Sequence, residues 1–327
     1  MSSSPKTLIY SHVGGIDVKL DLYAPDANGS APILIWFHGG GLYCGSRDDD
    51  LFPFSLCDAA LKRKWIFITA DYRLLLPFNG HDILADIRAL SSFLSSDAFR
   101  NSLPSGLVPS NSIFTAGASA GGYMALQYAL QASLKPKAVL NMFGLSDLLD
   151  DHYVHPHPDG VPFFGGLNKS FDLDKLLHPP PSSGSPMRAP TYECADGRHM
   201  TMIYVIQEGV IPDYLTNRPG LSKTLGALPT KDARAHALDD EIRPLFPLLF
   251  VRELPPVVSV HGMADTAVPL AHSETLKALL DEAGIKNELI PVPDAEHGLL
   301  SKDNFGVEAP AAEDAVGKAV EFLASCL

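Results

Sequence analysis

Hydrophobic positions along this chain fall into two alternating patterns. Short apolar runs of five to seven residues recur at PILIWF (32–37), WIFITA (65–70), SIFTA (112–116), KAVLNMF (137–143), PVVSVHG (256–262) and NELIPV (287–292). Runs so short and so continuous predict strands covered on both faces, because a half-solvated strand would alternate. One segment does alternate, GIDVKLDLYAP (15–25), and it predicts a half-buried strand near a sheet edge. Between the runs, apolar residues recur at helical spacing in HDILADIRALSSFLSS, GGYMALQYALQA, LAHSETLKALLDEAG and AAEDAVGKAVEFLASCL. Strands alternating with helices predict the α/β class, a mostly parallel sheet with helices on both sides.

The alternation breaks once. From 148 to 254 the chain is rich in Pro, His and Gly, with YVHPHPDGVPFFGG and HPPPSSGSP as its least regular parts. A structureless loop of that length does not fit inside a compact domain. The expected organisation is therefore a core formed by 1–147 and 255–327, with 148–254 as an inserted subdomain. Weak helices are expected there near 199–209 and 230–241.

Composition narrows the function classes. The chain is 46% hydrophobic and 19% charged, enough to bury a sizeable core. Its formal net charge of -13 and the lack of any Lys/Arg-rich block argue against nucleic acid as a partner; a small-molecule substrate is expected. Cys44, Cys57, Cys194 and Cys326 form no C-x-x-C pair and no zinc spacing. The first residues lack the apolar core of a secretory signal, and no run is long enough to cross a bilayer. A reduced, cytoplasmic protein is expected; the sequence leaves its oligomeric state open, a homodimer included.

The chemistry gathers just after strands. Gly117, Ser119 and Gly121 make G-x-S-x-G between an apolar run and a helical pattern, a turn so sharp that the residues two before and two after the serine must be small. The helix start beside Ser119 favours negative charge. WFHGGGLYCG (36–45) places three glycines after His38. Consecutive glycines let backbone amides approach a developing oxyanion, so Gly40, Gly41 and Ala120 are the expected donors, with His38 as an anchor of the loop. Asp265 follows the strand at 256–262 and His297 follows the last strand. The order Ser, Asp, His, each after a strand, predicts a nucleophile (Ser119), an acid (Asp265) and a base (His297).

On HGGG, DYRLLLP (71–77), GASAGG, HGMADTAVP and EHG, the chain resembles the α/β-hydrolase superfamily, close to the hormone-sensitive-lipase-like esterase/lipase group. The resemblance implies an eight-stranded, mostly parallel sheet, a cap between strands six and seven, and ester hydrolysis without a cofactor. Ala118 stands where many members carry Asp before the nucleophile. HGMADTAVP resembles the peptidase-like and formamidase-like esterases more than the group's usual Asp-Pro-Leu segment.

Other residues carry weaker signals. His152, His155 and His157 lie in a Pro-rich loop without a companion carboxylate at ligand spacing on a regular element, so no metal is expected. Arg73 and Asp86 are expected to tie the core together. Asp294 is the reserve acid, three residues before His297. Tyr43, Tyr123 and His199 are the expected substrate-lining residues, and Cys44 a buried thiol. The expected function is a serine esterase working through an acyl-enzyme. The alternatives are an acyltransferase, thioesterase, lyase or isomerase with the same triad, and a non-enzymatic receptor.

Overall fold

A computed structural model describes residues 4–164, 177–178, 181–184, 187–188, 193–194, 197–304 and 306–327. Its strands are β1 (Lys6–Val13), β2 (Ile16–Tyr23), β3 (Gly29–Phe37), β4 (Ile66–Ala70), β5 (Leu107–Ala118), β6 (Ala138–Met142), β7 (Met187–Arg188), β8 (Glu193–Cys194), β9 (Val257–Gly262) and β10 (Asn287–Val292). The short β7 and β8 pair with each other. The rest form one eight-stranded sheet in the order β1-β2-β4-β3-β5-β6-β9-β10. β1 with β2 and β2 with β4 are antiparallel, and all other pairs are parallel.

The continuous apolar runs are explained by two cores, one on each face. Alternate residues of β3 divide between them: Ile33, Ile35 and Phe37 face one way, Leu34 and Trp36 the other. On the first face lie α2 (Gly80–Leu94), α4 (Ala120–Gln131) and α10 (Leu270–Glu282), through Ile83, Ile87, Leu126 and Leu276. On the second lie α1 (Phe54–Lys62) and α11 (Ala312–Ala324), through Leu56, Val316 and Val320. Burial of one such side chain contributes about 1.5–3 kcal/mol. α2 starts where expected because Asn79 accepts from the His81 amide while Asp82 accepts from the Asn79 amide.

The parallel register sets the strand ends level. Phe37 pairs with Gly117, Ala118 with Met142, Met142 with Val260, and Gly262 with Val292. The loops leaving β3, β5, β6, β9 and β10 therefore emerge at one edge, the usual place for a ligand in such sheets.

β6 and β9 are neighbours, with Val139 opposite Val257, although the chain between them runs through the proline-rich stretch. That stretch contains α5 (Asp151–Val154), α6 (Arg198–Gln207), α7 (Ile211–Thr216), α8 (Leu221–Gly226) and α9 (Lys231–Ala237). The two expected helices correspond to α6 and α9; α7 and α8 are six-residue helices, too short to show a helical period. α3 (Asp97–Arg100) and α1 likewise carried no clear pattern. β1 adds a strand beyond the seven runs, an exposed edge whose pairing with β2 shifts register between Ile9 and Ser11.

Candidate active site

Ser119 joins β5 to α4 at φ 54° and ψ -120°, a conformation a non-glycine residue adopts only when its surroundings impose it. Here three backbone bonds of 2.9 Å hold it: its amide donates to Met142, and its carbonyl accepts from Gly122 and Leu145. The small flanking residues have a steric cause. A Cβ at Gly117 would lie 2.1 Å from the Gly121 carbonyl oxygen, and one at Gly121 would lie 2.0 Å from that of Phe37.

His297 and Asp265 arrive from the ends of β10 and β9. The His297 Nε2 stands 3.1 Å from Ser119 Oγ, and its Nδ1 stands 2.8 Å from Asp265 Oδ2. A carboxylate only accepts, so Nδ1 carries the proton and Nε2 is left to accept from the serine hydroxyl. The other Asp265 oxygen takes the amides of Ala267 and Val268 at 2.9 and 2.8 Å, which fixes the carboxylate plane. Burial pushes this carboxyl up, but His297 and then His261 outweigh it and hold it well below the usual carboxylate range. Asp294, the reserve acid, pairs instead with Lys302 at the surface.

The glycine loop meets Ser119 from β3. Gly40 and Gly41 sit at φ 93° and 62°, the left-handed region glycine tolerates. The Tyr43 and Cys44 amides close on the Gly40 carbonyl at 2.9 and 3.0 Å. Among the described residues, no backbone carbonyl accepts from the amides of Gly40, Gly41 or Ala120. His38 is buried under the loop, stacked on Tyr72 with ring centroids 4.3 Å apart, and its Nδ1 donates to the Gly39 carbonyl at 2.8 Å. Burial pushes the imidazole down to about 4, so it stays neutral at neutral pH.

Similarity to known proteins agrees with this geometry. The family model BD-FAE matches residues 20–159, which hold the glycine loop and Ser119. That of the prolyl oligopeptidase family matches residues 228–315, which hold Asp265 and His297. An α/β hydrolase superfamily protein from Enterococcus faecalis aligns over 98% of this chain and 98% of its own, with TM-score 0.64 and 18% identity. The chain has the α/β-hydrolase fold. The butyrate-bound Est2 esterase of Thermogutta terrifontis shares the fold at TM-score 0.61 and 20% identity, over 98% of this chain and 94% of its own. A probable carboxylesterase M8 from Phoma sp. is 34% identical over 36% of this chain and 38% of its own. The non-reducing polyketide synthase ausA of Aspergillus calidoustus is 26% identical over 97% of this chain, and the chain spans only 14% of that synthase's length.

A cavity of about 640 Å³ opens over Ser119. Its described walls include Gly40, Gly41, Phe143, His199, Met202, Ile206 and His297. Tyr43 and Tyr123 are not among them, which corrects the expectation drawn from their nearness to the glycine loop and the nucleophile. Tyr43 is buried behind the loop, and the Tyr123 hydroxyl donates 3.0 Å to the Leu245 carbonyl within the core. His152, His155 and His157 each place Nε2 on a carbonyl, of Ala267, Gly226 and His152 respectively. Arg73 chelates Asp86 through Nε at 3.0 Å to both oxygens. Cys44 is buried. No helix among the described residues is long and apolar enough to cross a membrane.

Three site features lay outside the sequence reading. Phe143 and Phe163 meet the His297 ring edge-on, with centroids 4.9 and 5.3 Å away. Glu296 accepts from the amides of His297 at 2.6 Å and Thr266 at 2.8 Å, and so clasps the base loop to the acid loop. His261 donates from Nε2 to the Val268 carbonyl at 2.8 Å and accepts at Nδ1 from Ser273 Oγ at 2.7 Å. Only the Glu before His297 carried a local signal, in the EHG motif.

Proposed function

We propose that this hydrolase cleaves a carboxylic ester of a small organic molecule through a covalent acyl-enzyme. Ser119 Oγ attacks the ester carbonyl carbon as His297 Nε2 takes its proton. The tetrahedral oxyanion is met by the amides of Gly40, Gly41 and Ala120. Collapse expels the alcohol, which receives the proton from His297, and leaves the acyl group on Ser119. Water, deprotonated by His297, then attacks the acyl-enzyme, and collapse releases the acid as His297 returns the proton to Ser119 Oγ. Asp265 holds the tautomer and balances the imidazolium.

The observation that carries this reading is the hydrogen-bonded line from Ser119 Oγ through His297 to Asp265, at 3.1 and 2.8 Å. The reactivity of a neighbour adds support, since the Thermogutta terrifontis esterase is known in a form phosphorylated by paraoxon. Residues 148–254 serve in this reading as a cap subdomain over the core of 1–147 and 255–327. The cavity walls contributed by Phe163, His199, Met202 and Ile206 support that role.

A second reading is acyl transfer or thioester cleavage on a biosynthetic intermediate. Its support is the match of 97% of this chain to one short segment of a polyketide synthase. A panel of chromogenic esters of graded chain length, with an amide and a thioester, separates the two. Ester hydrolysis predicts graded rates with free acid as the product, unchanged by added alcohols. Silence toward every ester, with turnover of the thioester or capture of the acyl group by an alcohol, would favour the second.

A further inference from the structure

The glycine loop is held from outside the hydrolase core. Arg198, the first residue of α6, is buried to 1% exposure. Its Nη1 donates to the Leu75 carbonyl at 3.1 Å and, less closely, to that of Tyr43 at 3.4 Å. Its Nη2 donates to the Leu76 carbonyl at 3.0 Å. Tyr43 belongs to the same tight turn as Gly40 and Gly41, and Leu75 binds that loop too, its amide donating to the Leu42 carbonyl at 2.8 Å. One guanidinium therefore joins the glycine loop, the segment after β4 and the insertion. One turn further along α6, Met202 packs on Gly41, where a Cβ would come within 2.5 Å of the Met202 Cγ.

We propose that Arg198 is a positioning residue for the oxyanion hole, and that α6 is a fixed strut of the site and not a lid that opens over it. The inference rests on the ester-hydrolysis reading above. Its physical basis is the composition of the loop. Two glycines at positive φ let the amides of Gly40 and Gly41 face a substrate, but glycine also gives the chain the most freedom to leave that arrangement. Donors stabilise an oxyanion strongly only when they are held in place beforehand. A planar guanidinium, with donors set in a rigid fork, can hold several carbonyls at once where a lysine ammonium presents a single point. Arg198 itself touches carbonyls and not the reacting atoms, so its effect passes through the loop.

The oxyanion is the same whatever acyl group surrounds it. Loss of the strut should therefore lower kcat alike for small and bulky esters, with little change in KM. A residue that only shapes the pocket would instead act through KM and by substrate size.

The test uses the full chain with Arg198→Met, Arg198→Lys and Ser119→Ala, each checked for a native melting transition. Kinetics on esters from acetate upward are set beside binding of a trifluoromethyl ketone, which mimics the tetrahedral intermediate. Arg198→Met should lose on the order of 10²-fold in kcat across the series, with KM near the parent's and the ketone weakened by a similar factor. Arg198→Lys should recover part of that loss. If Arg198→Met does not fold, Arg198→Lys carries the test, and reduced kcat at parental KM is expected. Parental kcat in a folded Arg198 variant, beside an inactive Ser119→Ala, would overturn the strut and leave the hydrolysis reading standing. So would a loss confined to KM or to bulky esters. Ser119→Ala at the parental rate would overturn both.

Discussion

Asp265 is the residue at which opposing forces are clearest. Burial alone would raise its carboxyl, yet two histidines and two amides keep it ionised. Its folded pKa lies below the unfolded value of about 3.9, so the stability it contributes is present above that pH and lost as pH falls below it. Asp265→Asn should keep the loop, because an amide oxygen still accepts from Ala267 and Val268. Its NH2 would face His297 Nδ1 and impose the wrong tautomer, and turnover should fall by up to roughly 10⁴-fold. Asp294→Asn should stay close to the parent, since that side chain faces Lys302. Steady-state kinetics of the two variants, side by side, check the assignment; a reversed ranking would make Asp265 the wrong acid. At this scale the sequence exposed residues whose role depends on local chain geometry. Ser119, Asp265 and His297 each follow a strand directly, and the turn chemistry around them is visible in their neighbours. Tyr43 and Tyr123 were misread because nearness in sequence says nothing about which side of a loop a ring occupies. Arg198 was invisible, since the carbonyls of Tyr43, Leu75 and Leu76 that it binds lie more than a hundred residues away.

The element on which the site depends is the strand–turn–helix from β5 to α4. Gly117 and Gly121 are fixed by backbone on the far side, not by flexible side chains, so nothing beside them can yield. Gly121→Ala would force a Cβ to within 2.0 Å of the Phe37 carbonyl oxygen and should cost more than about 4 kcal/mol. Gly317 provides the contrast within α11: nothing lies within 4 Å of a Cβ there, so Gly317→Ala should raise stability by about 0.5–1 kcal/mol. Thermal melts of both variants measure the difference; equal tolerance at the two positions would refute the steric account of the elbow. The central strands were legible because both faces are buried, which makes their apolar runs continuous. β1 was not, because an edge strand with one exposed face and a register shift leaves only a faint pattern. The six-residue helices α7 and α8 complete too few turns to show a period.

Across the whole molecule, the parallel register does what no single motif can. It brings the ends of β3, β5, β9 and β10 to one edge, so the glycine loop, Ser119, Asp265 and His297 meet although they are spread over most of the chain. Between β6 and β9, α6 adds His199, Met202 and Ile206 to the cavity wall. Fold class and the order of chemical groups could be read in the sequence because both follow from periodicity and from strand ends. The path of the insertion could not, because proline-rich chain has no period and its contacts are set by packing at long range. The central claim is that Ser119 is the nucleophile of this assembly. Its most direct test is reaction of the full chain with a fluorophosphonate, followed by peptide mass mapping. A single covalent adduct should appear on Ser119 in step with loss of esterase activity, and neither adduct nor turnover should remain in Ser119→Ala. An adduct on another residue, with turnover intact in Ser119→Ala, would contradict the account.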